Sequence, residues 1–199
     1  MAITKLSDSS ITTGDKYISM LAGNLPVGNY ESIATTTVGA GGSASISFTS
    51  IPATYTHLQI RSIQRATAGA SNTEDQNALI FNGDTGSNYS RHNLYSNGSV
   101  AGANGSASDI QISIADAPRN GATANTFGVG IIDILDYANT NKYKTIKSLD
   151  GCDLNGAGVI ILGSGSWRNT AAITSITITA YNTAFSQYSQ FALYGIKGA

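Results

Sequence analysis

From Glu31 to the C-terminus the chain alternates apolar and polar residues almost one for one, as in Ile110-Gln-Ile-Ser-Ile114, Ile176-Thr-Ile178 and Leu58-Gln-Ile60. Successive side chains of a strand point to opposite faces, so period-two alternation predicts sheets with one buried and one wet face. Hardly any segment offers a helical stripe instead. The pattern predicts strands over 32–38, 43–48, 56–64, 76–81, 88–95, 108–114, 127–135, 142–149, 159–162, 173–179 and 190–196. Gly39-Ala-Gly-Gly42, Asn82-Gly83-Asp84, Asn97-Gly98 and Asn155-Gly156 read as turns, because Asn and Gly tolerate positive φ. Pro52 and Pro118 fall between strands, where a missing N–H costs nothing. Many short strands with such turns predict an all-β chain, an antiparallel β-sandwich and most simply a jelly roll.

Gly128-Val-Gly-Ile-Ile-Asp133-Ile-Leu is apolar on both faces, unlike its neighbours. That predicts a central strand covered on one side by a second sheet and on the other by a neighbouring subunit, with Ile131 and Ile132 at the interface. Residues 1–30 differ from the rest. Asp15 can cap a short helix from Lys16 to Ala22 that stops at Gly23-Asn24. One or two turns cannot stand alone in water, and Ile3, Leu6, Ile11, Tyr17, Ile18, Met20 and Leu21 are of little use to a solvating tail. The expected organisation is therefore an extended anchoring arm, residues 1–30, before a β-sandwich domain, residues 31–199.

Composition narrows the class of function. The 199 residues suit one domain plus an arm, and 41% hydrophobic residues suffice for a core. Charged residues are only 12%, about half the usual share, so the outward faces carry Ser, Thr, Asn and Gln. Such a surface can pack subunits together without burying charge. A net charge of −1 leaves no basic stripe for a nucleic-acid backbone. No apolar run has the length of a membrane span, so no membrane insertion is expected. The first ten residues lack a basic head followed by an apolar stretch, and synthesis in a cytoplasm is expected.

Candidate chemistry is sparse. The single cysteine, Cys152, reads as a half-buried small residue. His57 and His92 have no recognisable Ser or Cys partner, and Gly163-Ser-Gly-Ser-Trp167 reads as a turn rather than a nucleophile elbow. Asp150, Asp153 and Asn155-Gly156 resemble a calcium loop, but with that Gly in register the required Glu is Leu162 and the first ligand is Gly151. Asp133 and Asp136 are the best carboxylate pair, yet a spacing of three along a strand sends them to opposite faces; bonds to Lys142, Lys144 or backbone are expected. No enzyme, cofactor or metal is expected. Tyr89, Tyr95 and Trp167 lie nearest loops, where such rings stack on sugars or pack at interfaces.

Several strings occur together: Tyr30-Glu-Ser-Ile-Ala-Thr, Phe48-Thr-Ser-Ile-Pro-Ala-Thr-Tyr-Thr-His-Leu-Gln-Ile-Arg61, Phe81-Asn-Gly-Asp-Thr-Gly-Ser-Asn-Tyr89, Ile132-Asp-Ile-Leu-Asp-Tyr-Ala-Asn-Thr-Asn-Lys-Tyr-Lys144 and Phe191-Ala-Leu-Tyr-Gly-Ile-Lys-Gly198. With the Leu21-Ala-Gly-Asn24 end of the arm, they make the chain resemble small virion structural proteins of tailed bacteriophages over nearly its whole length. The resemblance implies a non-enzymatic particle component, a trimeric capsid decoration or a fibre, assembled in the host cytoplasm with other virion proteins. It brings no catalytic residues. The first expectation is a capsid decoration (cement) protein anchored by its arm; the alternative is a tail-fibre or receptor-binding protein recognising host surface glycans through Tyr89, Tyr95 and Trp167.

Overall fold

A computed structural model describes residues 29–69, 74–181 and 183–198. The expected arm helix and most of the arm lie outside these residues. The described chain forms twelve strands: β1 (Tyr30–Thr37), β2 (Ser45–Phe48), β3 (His57–Gln64), β4 (Glu74–Phe81), β5 (Tyr89–Ser96), β6 (Ala101–Asp109), β7 (Ile112–Pro118), β8 (Gly128–Leu135), β9 (Lys144–Asp153), β10 (Gly158–Trp167), β11 (Ile176–Ala180) and β12 (Gln190–Ile196). No helix occurs among the described residues. The strands make two antiparallel sheets, one of eight in the order β1-β12-β3-β8-β9-β10-β5-β6 and one of four in the order β2-β11-β4-β7. The predicted all-β, antiparallel class is what the chain adopts.

Alternation decides which residues enter the core. On β8, Ile132 and Ile134 point inward and are buried, while Val129, Ile131 and Leu135 point outward. The same parity on β2, β3, β4, β7, β11 and β12 sends Ile46, Phe48, Leu58, Ile60, Leu79, Phe81, Ile112, Ile114, Ile176, Ile178, Phe191 and Leu193 into one cluster between the sheets. Two tight turns fall where Asn-Gly predicts them, one leading from β4 to the other sheet and one closing the β9–β10 hairpin. Asn82 and Gly83 have φ of 50° and 67°, and Asn155 and Gly156 have 61° and 99°; both residues of each pair need the left-handed region.

Three strand assignments change. β6 was not expected, because Ala101-Gly-Ala-Asn-Gly-Ser-Ala-Ser has no apolar period; its register with β5 holds it in place as the edge of the larger sheet. Gly163-Ser-Gly-Ser-Trp167 is not a turn but the second half of β10, paired with β9 and β5 on either side. Gly165 is required there, since a Cβ would lie 2.9 Å from the Ile112 side chain of the opposite sheet. Pro118 ends β7 opposite Glu74, still at a strand end on a sheet edge.

Three polar side chains near or in the interior tie loops together. Lys144 is fully buried, and its ammonium donates to the carbonyls of Asn139 (2.6 Å), Lys142 (3.1 Å) and Thr170 (3.0 Å), joining the loop before β9 to the loop after β10. Arg65, also buried, donates to the carbonyls of Ala122, Thr123 and Thr126 and so fixes the loop before β8. Asp84 accepts from the Trp167 indole N–H (2.8 Å), the Asn88 amide (2.9 Å) and the Gly86 N–H (2.9 Å). The indole bond first, then those from Asn88 and Gly86, hold its carboxyl below the usual carboxylate range.

Candidate interaction surfaces

The outer face of the eight-stranded sheet is apolar in its middle. Register places Ile131 of β8 beside Leu149 of β9, Leu149 beside Leu162 of β10, and Leu162 beside Leu94 of β5. These four form one row across four strands, and they are 40%, 48%, 45% and 58% exposed. Two residues along, Ile63, Val129 and Ile160 extend the patch around Gly151. Gly151 has no side chain, so a shallow depression of about 560 Å³ opens between Val129 and Ile160. Seven large aliphatics, each about half exposed, leave apolar area on the order of several hundred Å², where ordinary monomer surfaces end and interfaces begin.

One border of the patch is polar and ordered. The Gln59 amide donates to Asp133 (2.7 Å), and Arg61 donates to the Gln59 carbonyl oxygen (2.8 Å). The Arg61 guanidinium also lies over the rings of Tyr30 and Tyr194, 5.8 and 5.6 Å from their centroids. An apolar centre with a hydrogen-bonded rim is how protein interfaces are built.

The predicted site residues divide. Ile131 lies on this exposed face. Ile132 does not; it is 1% exposed and packs in the core, because adjacent residues of a strand face opposite ways, so it is removed from the interface. β8 is central and covered on its inner side as expected. Tyr89 and Trp167 are corrected too. Both are buried, their rings stacked on each other 6.3 Å apart and tilted against Phe81, and the Tyr89 hydroxyl accepts from the Phe81 N–H (3.1 Å) and donates to the Asp84 carbonyl (2.9 Å). Neither ring can meet a glycan. Burial raises the Tyr89 hydroxyl to about 12. Tyr95 remains half-buried, toward the far end of the same strand as Tyr89, β5. Ile3, Leu6, Ile11, Tyr17, Ile18, Met20 and Leu21 lie outside the described residues.

The sparse chemistry stays dispersed. Asp133 is held by Gln59, while Asp136 lies past the end of β8 with φ of 48°, ion-paired to Lys142 and 3.6 Å from His57. The two carboxylates serve different partners. Cys152 is buried, and desolvation pushes its thiol up to about 11, so at neutral pH it is a thiol rather than a nucleophilic thiolate. Asp153 caps the Asn155 N–H (2.9 Å) in a hairpin turn. Among the described residues no group of three or more His, Cys, Asp or Glu is placed to hold a metal.

The chain matches no known family profile and no curated protein.

Proposed function

We propose that this chain is a structural protein of a bacteriophage virion: a jelly-roll subunit that assembles as a homotrimer, decorates the outside of the capsid and is anchored by residues 1–30. The observation that carries the reading is the row Ile131, Leu149, Leu162 and Leu94 on the outer face of the larger sheet, bordered by polar and a few charged residues. An apolar patch in the middle of a sheet is no accident of an edge, and covering it with another copy removes it from water. Strand order supports the jelly roll. Without the hairpins β5–β6 and β9–β10, eight strands remain, and counted along the chain their order is 1-8-3-6 in one sheet and 2-7-4-5 in the other. Two Greek keys wrapped on each other give that order. The resemblance to phage virion proteins supports the setting, and the low charge suits a particle that must survive changes of salt and dilution.

Sedimentation velocity at micromolar concentration tests the assembly. A trimer is expected for the full chain, and a monomer for the double variant Leu149→Lys, Leu162→Lys, which brings two charges into the patch. A wild-type monomer overturns the trimer. Deleting residues 1–30 is expected to leave the sandwich folded and to remove the protein from purified particles; incorporation at wild-type occupancy overturns the anchor.

A further inference from the structure

Four strands cannot cover eight. The smaller sheet ends at β7, and the inner face of β5 and β6 runs past it. At this flank a half-open cleft of about 220 Å³ separates β5, β6 and β10 from the edge of the smaller sheet. Its lining is unlike the apolar patch on the other face of the same strands. Tyr95, Asn97 and Asn104 come from β5, the turn after it and β6; Gln76 and Asp116 come from β4 and β7; Ile161 of β10 lies between.

The groups are positioned rather than merely present. Tyr95 stands opposite Gly102 of β6, and a Cβ on Gly102 would lie 2.6 Å from the ring. The ring therefore packs against bare backbone where it lines the cleft. Only glycine allows that approach. The Arg91 guanidinium donates to Asn104 Oδ1 (2.9 Å), and Asn97 Oδ1 accepts from the Ser99 and Val100 N–H groups (3.1 and 2.8 Å). With those oxygens engaged, the amide nitrogens are the ends turned to a ligand. Gln76 and Asp116 face each other in the β4–β7 ladder and add acceptors.

We propose that this cleft is a binding site for one ring of a neutral saccharide, with Tyr95 as the stacking platform and Gln76, Asn97, Asn104 and Asp116 as hydroxyl partners. A sugar hydroxyl donates and accepts at once, so it is matched by amide N–H groups that donate beside a carboxylate that accepts. The C–H face of a pyranose suits an aromatic ring, with Ile161 as apolar floor. An acidic sugar, a nucleotide or a phosphate fits badly, because no Lys or Arg is among the lining residues and Glu74 and Asp116 are. The site does not rest on the trimer, and it deepens the glycan-recognition alternative: a displayed subunit carrying it attaches the particle to host polysaccharide.

Saturation-transfer NMR on the full chain tests this, with glucose, galactose, mannose, N-acetylglucosamine, sialic acid and glucuronic acid each at about 10 mM, suited to millimolar Kd. At least one neutral sugar is expected to bind, with Tyr95→Ala weakening it about tenfold and Gln76→Ala several-fold. Gln76→Ala carries the test alone if Tyr95→Ala does not fold. The double variant Leu149→Lys, Leu162→Lys is expected to bind as the wild type does, which separates this site from the assembly face. Binding of acidic sugars only, no binding of any neutral sugar, or wild-type affinity in Gln76→Ala overturns the proposal.

Discussion

Ile131 and Ile132 are neighbours in the chain and opposites in the structure. Ile132, with Ile134, Ile146 and Trp167, lies on the inner face of the larger sheet and is closed over by the smaller one. Ile131, with Leu149, Leu162 and Leu94, lies on the outer face and stays about half exposed. The residue types are the same, so hydrophobicity alone does not distinguish a core from a docking face. What differs is whether the chain supplies a second layer. Inner apolar residues are used in folding; outer ones keep their transfer free energy, roughly 25 cal/mol per Å², for association.

The largest effect belongs to the inner face. Ile132→Ala removes a side chain 1% exposed in a cluster that can relax only partly, and it is expected to cost about 3 kcal/mol. Urea unfolding of wild type and variant with equal slopes measures it. A loss below about 1 kcal/mol would mean that the sheets are not packed there.

Asp84 comes next, at the edge of the same face. Asp84→Ala leaves the buried Trp167 indole N–H without its acceptor and is expected to cost about 2 kcal/mol near pH 7. The folded carboxyl titrates below its unfolded value, chiefly through that indole bond. Its contribution is therefore complete above the unfolded value near 3.8 and is lost as pH falls through the lower folded value. Wild type and Asp84→Ala should converge in stability at the acid end; a gap that persists there would assign the cost to packing instead.

Asp116 reverses that sign, because it sits where the inner face runs out of cover. Burial first, then Glu74 and Asp75, push its carboxyl up to about 6, with Arg119 opposing. The folded state thus holds the proton more tightly than the unfolded chain. The stabilising contribution is complete below about pH 4 and is lost as pH rises through about 6. Asp116→Asn, which stays neutral, is expected to gain on the order of 1–2 kcal/mol over wild type at pH 8 and nothing at pH 4. Melting curves at the two pH values decide; an equal gain at both would rule out titration as the cause.

Much of the comparison was legible in the chain, and the parts that were not have physical reasons. The nearly unbroken apolar run of Gly128–Leu135 marked a strand apolar on both sides, because parity in a strand needs no tertiary information. It could not say which face the second layer would cover, so Ile131 and Ile132 were indistinguishable until the smaller sheet was placed. Trp167 and Tyr89 look like loop residues because glycines and serines surround them. Gly163 and Gly165 are instead strand positions, where a small residue makes room for Ser148 and Asn93 of the flanking strands and for Ile112 of the opposite layer. β6 carries no apolar period, since both its faces are largely exposed; pairing with β5 holds it. The cleft beside Tyr95 is invisible for the same reason: it exists because four strands end where eight continue.

The smallest expected effect on the folded subunit is at Ile131. Ile131→Thr keeps a β-branched residue in a central strand, so local preference for the sheet is retained. It replaces apolar surface that is already 40% exposed, and it leaves the core untouched. Measured at a dilution where subunits are separate, its unfolding free energy should lie within about 0.5 kcal/mol of wild type. Measured where the wild type is associated, the same substitution should weaken the assembly, because the hydroxyl is desolvated in the row formed with Leu149 and Leu162. A matched loss in both conditions would show that Ile131 belongs to the core after all. A loss in neither would show that the outer row is not where copies meet. Loss in the associated state alone is the outcome that separates two adjacent isoleucines by function rather than by chemistry.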